Sequence, residues 1–475
     1  MNFVQIEFLW FFAVTLVVYW SLRDRWRQNV FLVAAGAFFY GFFHPWYLIL
    51  LYGAAFMDYT VALRIERDQA RKQYWLLVSL VGNLGMLGFF KYFNFFLDNV
   101  RGALELVGVQ ANLPTLQILL PLGISFYTFQ TLSYVIDVYR GDLKARSNLL
   151  DYAVYVTFFP QLVAGPIERA SNLLVQVEKP RVFQREHFLD GLGLALWGGF
   201  KKIVVADTIA PFVDKVFIVS DPAAPLLWAG AFGFMIQIFA DFSGYTDLAR
   251  GTAKMIGFEL AHNFRSPYMA VSTPDFWQRW HISLSFWIRD YLMVPLLGGG
   301  SHLGLFRFIW ATILTFTIIG FWHGASWNFI LFGFFHGVWM TIYTVVNRNL
   351  PARVTNVPFG RPMAITFHLL AVSLPGSLLF RETSLTRILH DVQITILRPF
   401  VATSEEWIAA VTVVGITAVC AMPLILSYFV ERYAIPRLRP TVWWLPAQTV
   451  GWTALVLVIA LFFRSGAMDF VYFQF

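Results

Sequence analysis

Run after run of mostly apolar residues, each long enough to cross a lipid bilayer, is separated along this chain only by short basic loops. A spanning helix needs roughly 20 such residues. The chain has 475 residues, of which 58% are hydrophobic and 13% charged, with a mean hydropathy of +0.61. A soluble protein of this length needs far more polar surface. The pattern therefore specifies an all-α, polytopic integral membrane protein. Aromatic residues make up 18%, led by 50 Phe and 18 Trp, which suits lipid-facing helices and interfacial belts. The opening run MNFVQIEFLWFFAVTLVVYW has no basic start, carries Glu7 and lacks a small-residue cleavage site. It is expected to stay as the first helix.

The apolar runs place passes near 3–22, 29–43, 46–63, 75–97, 119–138, 189–218, 227–249, 307–323, 326–346, 364–381, 407–430 and 444–463. That gives about 11–12 transmembrane helices in a single integral-membrane domain, 1–475. The net charge of +7 is spread over short loops rather than gathered in a basic domain, so it speaks for topology and against nucleic acid. Loops 23–28, 64–74, 139–150, 167–187, 250–280, 347–363 and 431–443 hold 24 of the 35 Lys and Arg. By the positive-inside rule they face the cytoplasm. An even number of passes then puts both termini on the other side. Stretches 151–166 and 281–298 are too short or too charged to span and read as re-entrant or interfacial helices. Irregular backbone at membrane depth survives only where protein or a water-filled cavity covers it, which implies a cavity opening toward the cytoplasm.

Protonatable groups inside such apolar sequence are expensive and are functional suspects by default. His323 ends a charge-free run and is followed by the small residues Gly324, Ala325 and Ser326. A neutral imidazole suits proton abstraction from a hydroxyl near pH 7. A hydrogen bond to a neighbouring helix is the competing use. His281 opens the second re-entrant stretch, with Arg279 two residues before it. A snorkelling interfacial histidine is its plainer reading. His336, 13 residues beyond His323, reads as structural. Asp241, Tyr245 and Asp247 form a further polar cluster that could orient a histidine, bind a sugar hydroxyl or join helices. Lys201 and Lys202 could meet phosphates from the cytosol or snorkel and set topology. The sequence has no GK[ST] phosphate loop, no HExxH and no GxSxG. No histidine pair has metal-ligand spacing, so no metal site is expected. The lone Cys420 excludes an internal disulfide.

Several segments together resemble the membrane-bound O-acyltransferases, in particular the bacterial alginate O-acetyltransferase branch. They are PLGISFYTFQTLSYVIDVYRG at 121–141, FFPQLVAGPIER at 158–169, FADFSGYTDLARG at 239–251, NFRSPY at 263–268, DFWQRWHISLSFWIRDYL at 275–292, FWHGASWNFILFGFFHG at 321–337 and VYFQF at 471–475. The resemblance implies a helical membrane body around a central tunnel. It matches His323 to a catalytic histidine and His281 to a second active-site position. It also implies acetyl transfer from a cytosolic thioester, acetyl-CoA or an acyl carrier, with no bound cofactor. The acceptor would be an exopolysaccharide such as alginate, reached directly or through periplasmic or extracellular acetyltransferase partners, from the bacterial inner membrane. On this reading Trp280, Trp322, Arg279 and Asn328 join Lys201, Lys202, Asp241 and Tyr245 as donor- or substrate-binding candidates. D-alanyl or other acyl transfer to an envelope polymer, and a polysaccharide transporter, are the alternatives.

Overall fold

The computed structural model describes residues 1–110, 115–116, 119–163, 165–298, 304–349 and 360–464. The closing VYFQF motif and most of the loop 347–363 lie outside the described residues. Every regular element among the described residues is a helix. Eight helical stretches are long and apolar enough to cross a membrane: Tyr47–Arg67, Gln69–Leu106, Ala224–Met255, Leu305–His323, Trp327–Val346, Gly360–Arg381, Ser404–Leu438 and Trp444–Phe462. The remaining passes read from sequence are helical too, but differ in kind. Helices Ile6–Ser21, Arg25–Gly41 and Ile124–Arg140 have 16, 17 and 17 residues, just short of a full crossing. The stretch 185–218 is a helix interrupted by a π-helical turn at Phe200–Ala206 and carries several charges. Both segments expected to be re-entrant are broken into short helices, Leu149–Thr157 with Phe159–Leu162 and Ile282–Ile288 with Val294–Leu297.

The chain falls into two compact units, one of residues 1–191 and 249–261, the other of 192–248 and 262–475. The first unit is held by buried polar pins in an apolar body. Asp58 is fully buried and accepts hydrogen bonds from Ser79 at 2.6 Å and Asn83 at 2.8 and 3.0 Å. Asp151 accepts from Asn29 at 2.7 Å and pairs with Arg25 at 3.1 Å. Glu168 accepts from the Ala261 backbone N–H and from Asn172.

Seven helices of the second unit carry its argument: α1 (Ala224–Met255, its residues to 248), α2 (Ile282–Ile288), α3 (Leu305–His323), α4 (Trp327–Asn349), α5 (Gly360–His368), α6 (Leu374–Arg381) and α7 (Ser404–Phe429). α3 and α4 form a hairpin closed at Gly324–Ser326, where the Ser326 N–H donates to the Gly324 carbonyl. Small residues let the two backbones touch. A Cβ on Gly320 would overlap the Phe329 carbonyl oxygen, and one on Gly333 the Phe316 carbonyl oxygen. In lipid, where hydrophobicity cannot drive helices together, such close packing is a main source of association. α6 packs on α4 and continues α5 through a π-helical turn at Leu369–Ser373. This places the C-terminal end of α3, the middle of α4 and the whole of α6 around one space.

Candidate active site

His323 is the last residue of α3. The helix stops there because Gly324 turns extended, at φ −162° and ψ 150°. The imidazole is 4% exposed and lines a cavity. Aromatic rings make most of the wall, among them Phe234, Tyr268, Trp280 and Phe380. Phe380 stands edge-on to the His323 ring at 5.3 Å and Phe332 at 6.0 Å. Polar lining comes from Ser373, Ser377 and a second histidine, His336. A water-poor aromatic wall strengthens every charge interaction inside it. It also limits hydrolysis of a reactive acyl donor.

His281 sits at the N-cap of α2 with φ 42° and ψ 55°. Apart from Ser266, it is the one non-glycine among the described residues at positive φ. Holding an L-residue there costs energy and needs a surrounding that enforces it. Asn263 supplies that surrounding. Its carbonyl accepts the Ile282 N–H at 3.0 Å, and its side-chain oxygen accepts the Ser283 N–H at 3.3 Å and hydroxyl at 2.6 Å. The strained turn delivers the fully buried His281 ring against Phe242, at 4.7 Å and 85°. Trp322 lies 6.3 Å from the His281 ring and 5.0 Å from that of His323. One indole thus stands beside both histidines, while His281 itself does not line the cavity.

The other candidates divide. Trp280 lines the cavity. Arg279, one residue earlier, is turned to its own loop, pairing with Asp275 at 2.7 Å and donating to the Arg265 carbonyl at 3.3 Å. Asn328 is fully buried, accepts from the Ser326 hydroxyl and donates to the Leu379 carbonyl at 3.3 Å. It ties the α3–α4 turn to α6. Lys201 and Lys202 lie in the π-helical turn Phe200–Ala206 and face carboxylates. Lys201 pairs with Asp247 at 2.5 Å, and Lys202 with Asp207 and Asp241, each at 2.8 Å. Tyr245 is fully buried on the same helix as Asp241 and Asp247. Lys201, Lys202, Asp207, Asp241 and Asp247 join α1 to the turn 200–206.

The structure also places in the cavity wall residues that the sequence assigned to packing or passed over. His336 is the chief one, with Trp277, Ser373 and Gly376. His368 packs 5.3 Å from Phe276, and its Nδ1 lies 3.3 Å from the Ser373 hydroxyl. A histidine, a serine and a glycine at 368, 373 and 376 follow no motif spacing. The available signal was their polarity inside an apolar run.

With the geometry in place, similarity to known proteins becomes informative. The family model described as "MBOAT, membrane-bound O-acyltransferase family" matches residues 143–368, a stretch that includes both His281 and His323. A "Probable alginate O-acetylase AlgI" of Pseudomonas aeruginosa is 39% identical over 378 residues, covering 79% of this chain and 71% of that protein. A "Peptidoglycan O-acetyltransferase" of Helicobacter pylori is 36% identical over 373 residues, covering 72% of this chain and 68% of that protein. A "Teichoic acid D-alanyltransferase" of Bacillus subtilis is 30% identical over 241 residues, 47% of this chain and 58% of that protein. A multi-helix membrane body and this similarity over most of the chain establish one conclusion: the protein belongs to the membrane-bound O-acyltransferase family and is a multi-pass membrane O-acyltransferase.

Proposed function

We propose that this protein moves an acetyl group from a cytosolic thioester, acetyl-CoA, to a hydroxyl on the far side of the bacterial inner membrane, for O-acetylation of an exopolysaccharide such as alginate. The observation that carries the reading is the position of His323 at a helix break in the wall of an aromatic cavity. Similarity to alginate O-acetylases over 79% of the chain favours acetyl over D-alanyl transfer. The peptidoglycan O-acetyltransferase relative leaves a second envelope polymer as acceptor class.

The chemistry balances on one imidazole. His323 takes the proton of the acceptor hydroxyl as its oxygen attacks the thioester carbonyl carbon. A tetrahedral oxyanion forms and collapses, the C–S bond breaks, and the proton on His323 passes to the departing thiolate. Products are an O-ester and free thiol. General-base assistance of this kind contributes on the order of 10²- to 10⁴-fold, and donors to the oxyanion commonly contribute as much. His281, reaching the site through Trp322, orients the reacting groups. The Lys201 and Lys202 ammoniums act on a nucleotide phosphate only by exchanging a carboxylate partner for it.

The test is transfer of labelled acetyl from acetyl-CoA by membranes carrying the protein, with and without the secreted acetyltransferases and polymer of its host. Release of free CoA coupled to acetyl on polymer or partner is expected. Polymer export lost together with acetylation, and no CoA release, would instead make the protein a transporter.

A further inference from the structure

Two residues that line the cavity each carry a buried polar atom with no hydrogen-bond partner in the protein: Nδ1 of His336 and the indole N–H of Trp277. Leaving a buried donor or acceptor unmade is costly, so a fold normally pairs such groups. Here they belong to neighbouring residues. The His336 and Trp277 rings are 5.2 Å apart and nearly perpendicular, at 85°. Packing fixes the imidazole: Phe332 stands at 4.6 Å, and Phe276 stacks on it at 8°. Its other edge lies against Gly376, where a Cβ would come 2.7 Å from Nε2. The ring is therefore held in place by apolar contacts while Nδ1 is left unused, in the wall that also carries His323.

An indole N–H can only donate, and an imidazole nitrogen without its proton can only accept. A hydroxyl group needs one of each, a donor for its oxygen lone pair and an acceptor for its hydrogen. The geometry points to Trp277 and His336, with the ring proton on Nε2, as a hydroxyl-binding subsite. It holds a hydroxyl of the acceptor sugar next to the one that His323 deprotonates. The subsite explains why an imidazole that makes no structural bond through Nδ1 is retained deep in the protein. It also gives a specificity rule, since a polyol acceptor can fill both places and a simple alcohol only one. A site built to hydrogen-bond a hydroxyl discriminates strongly against ligands lacking it. The inference rests on the acyl-transfer reading only for the class of ligand.

The test separates binding from chemistry. Short unacetylated alginate oligomers are titrated calorimetrically into the full-length protein in lipid nanodiscs, in a His323→Ala background that blocks turnover. Trp277→Phe, which keeps the ring and removes the N–H, and His336→Leu are each expected to weaken binding about tenfold, the worth of one hydrogen bond near 1.4 kcal/mol. His336→Asn sets an amide oxygen near the place of Nδ1 and should recover most of the loss, whereas His336→Gln reaches toward Nε2 and should not. With His323 intact, His336→Leu should raise the acceptor KM and leave the thioester KM unchanged. Unchanged binding in both Trp277→Phe and His336→Leu overturns the subsite, as does a parent protein that does not bind the oligomers. A parent that binds them through these residues yet never releases CoA from acetyl-CoA leaves the subsite standing and removes the acetyl-transfer reading instead.

Discussion

Two sets of polar side chains lie buried in the second unit, and the structure treats them in opposite ways. At the turn 200–206, Lys201 and Lys202 meet Asp247, Asp207 and Asp241, so each ammonium has at least one carboxylate. Around the cavity, His323 and His336 stand among phenylalanine and tryptophan rings. Both sets look alike in sequence, as charge or protonatable groups inside apolar runs. What separates them is which neighbours the fold supplies, carboxylates at the turn and aromatic rings with a cavity at the histidines. Ion-paired groups hold helices together; histidines in a cavity wall can meet a ligand. A buried pair need not add stability, yet removing one member leaves an uncompensated charge.

The strongest way to break this contrast is at His323. His323→Ala should lower acetyl transfer by at least about 10²-fold with the protein still inserted at normal level, read as labelled acetyl on polymer against immunodetected protein in membranes. Normal acetylation in that variant would move the chemistry elsewhere. Lys202→Met should act on the fold rather than on turnover. Removing one member of a buried ion pair costs about 3–5 kcal/mol, so the folded yield in detergent should fall sharply. A well-folded Lys202→Met protein with a raised acetyl-CoA KM would turn these ion pairs into a phosphate site and erase the contrast.

His281 lies between the two cases, buried like the lysines yet beside Trp322. Glycine adopts φ 42° readily, whereas an L-residue there costs roughly 1–2 kcal/mol. His281→Gly therefore removes the ring without adding strain. Transfer per folded protein should drop about tenfold or more, a loss of the size expected when a positioning group goes. Wild-type turnover would return the residue to packing. The smallest effect concerns the first unit, outside the spans. Burial raises the Glu168 carboxyl to about 7, outweighing the Ala261 N–H, the Asn172 amide and Arg250. Its folded value then exceeds its unfolded value near 4.3. The folded state holds more protons between the two, and stability falls as pH rises from about 4 to about 7. Glu168→Gln should flatten melting temperature against pH over that window; an unchanged slope would assign the dependence to other groups.

Much of this was legible in the sequence for physical reasons. Apolar runs at bilayer length leave helices as the available solution, and the runs at 46–63, 307–323 and 444–463 appear as Tyr47–Arg67, Leu305–His323 and Trp444–Phe462. The break after His323 was readable from Gly324 to Ser326. The charged and broken stretch 185–218 was not, because hydropathy averages over a π-helical turn whose lysines are neutralised by carboxylates up to 46 residues away. The role of Asn328 was equally hidden. The sequence marks it only as a donor- or substrate-binding candidate, whereas its amide nitrogen also donates to the Leu379 carbonyl, 51 residues on.

The sequence alone determined that the protein is a helical membrane body with a histidine at a helix end. Periodicity, length and local breaks are short-range properties of the chain. Only the tertiary structure decided which polar groups meet carboxylates and which line a cavity. That depends on the α3–α4 hairpin, where glycines at 320 and 333 let the backbones meet, and on α6 folding back to bring Gly376 against His336. Such contacts join residues far apart in sequence, and no local pattern encodes them.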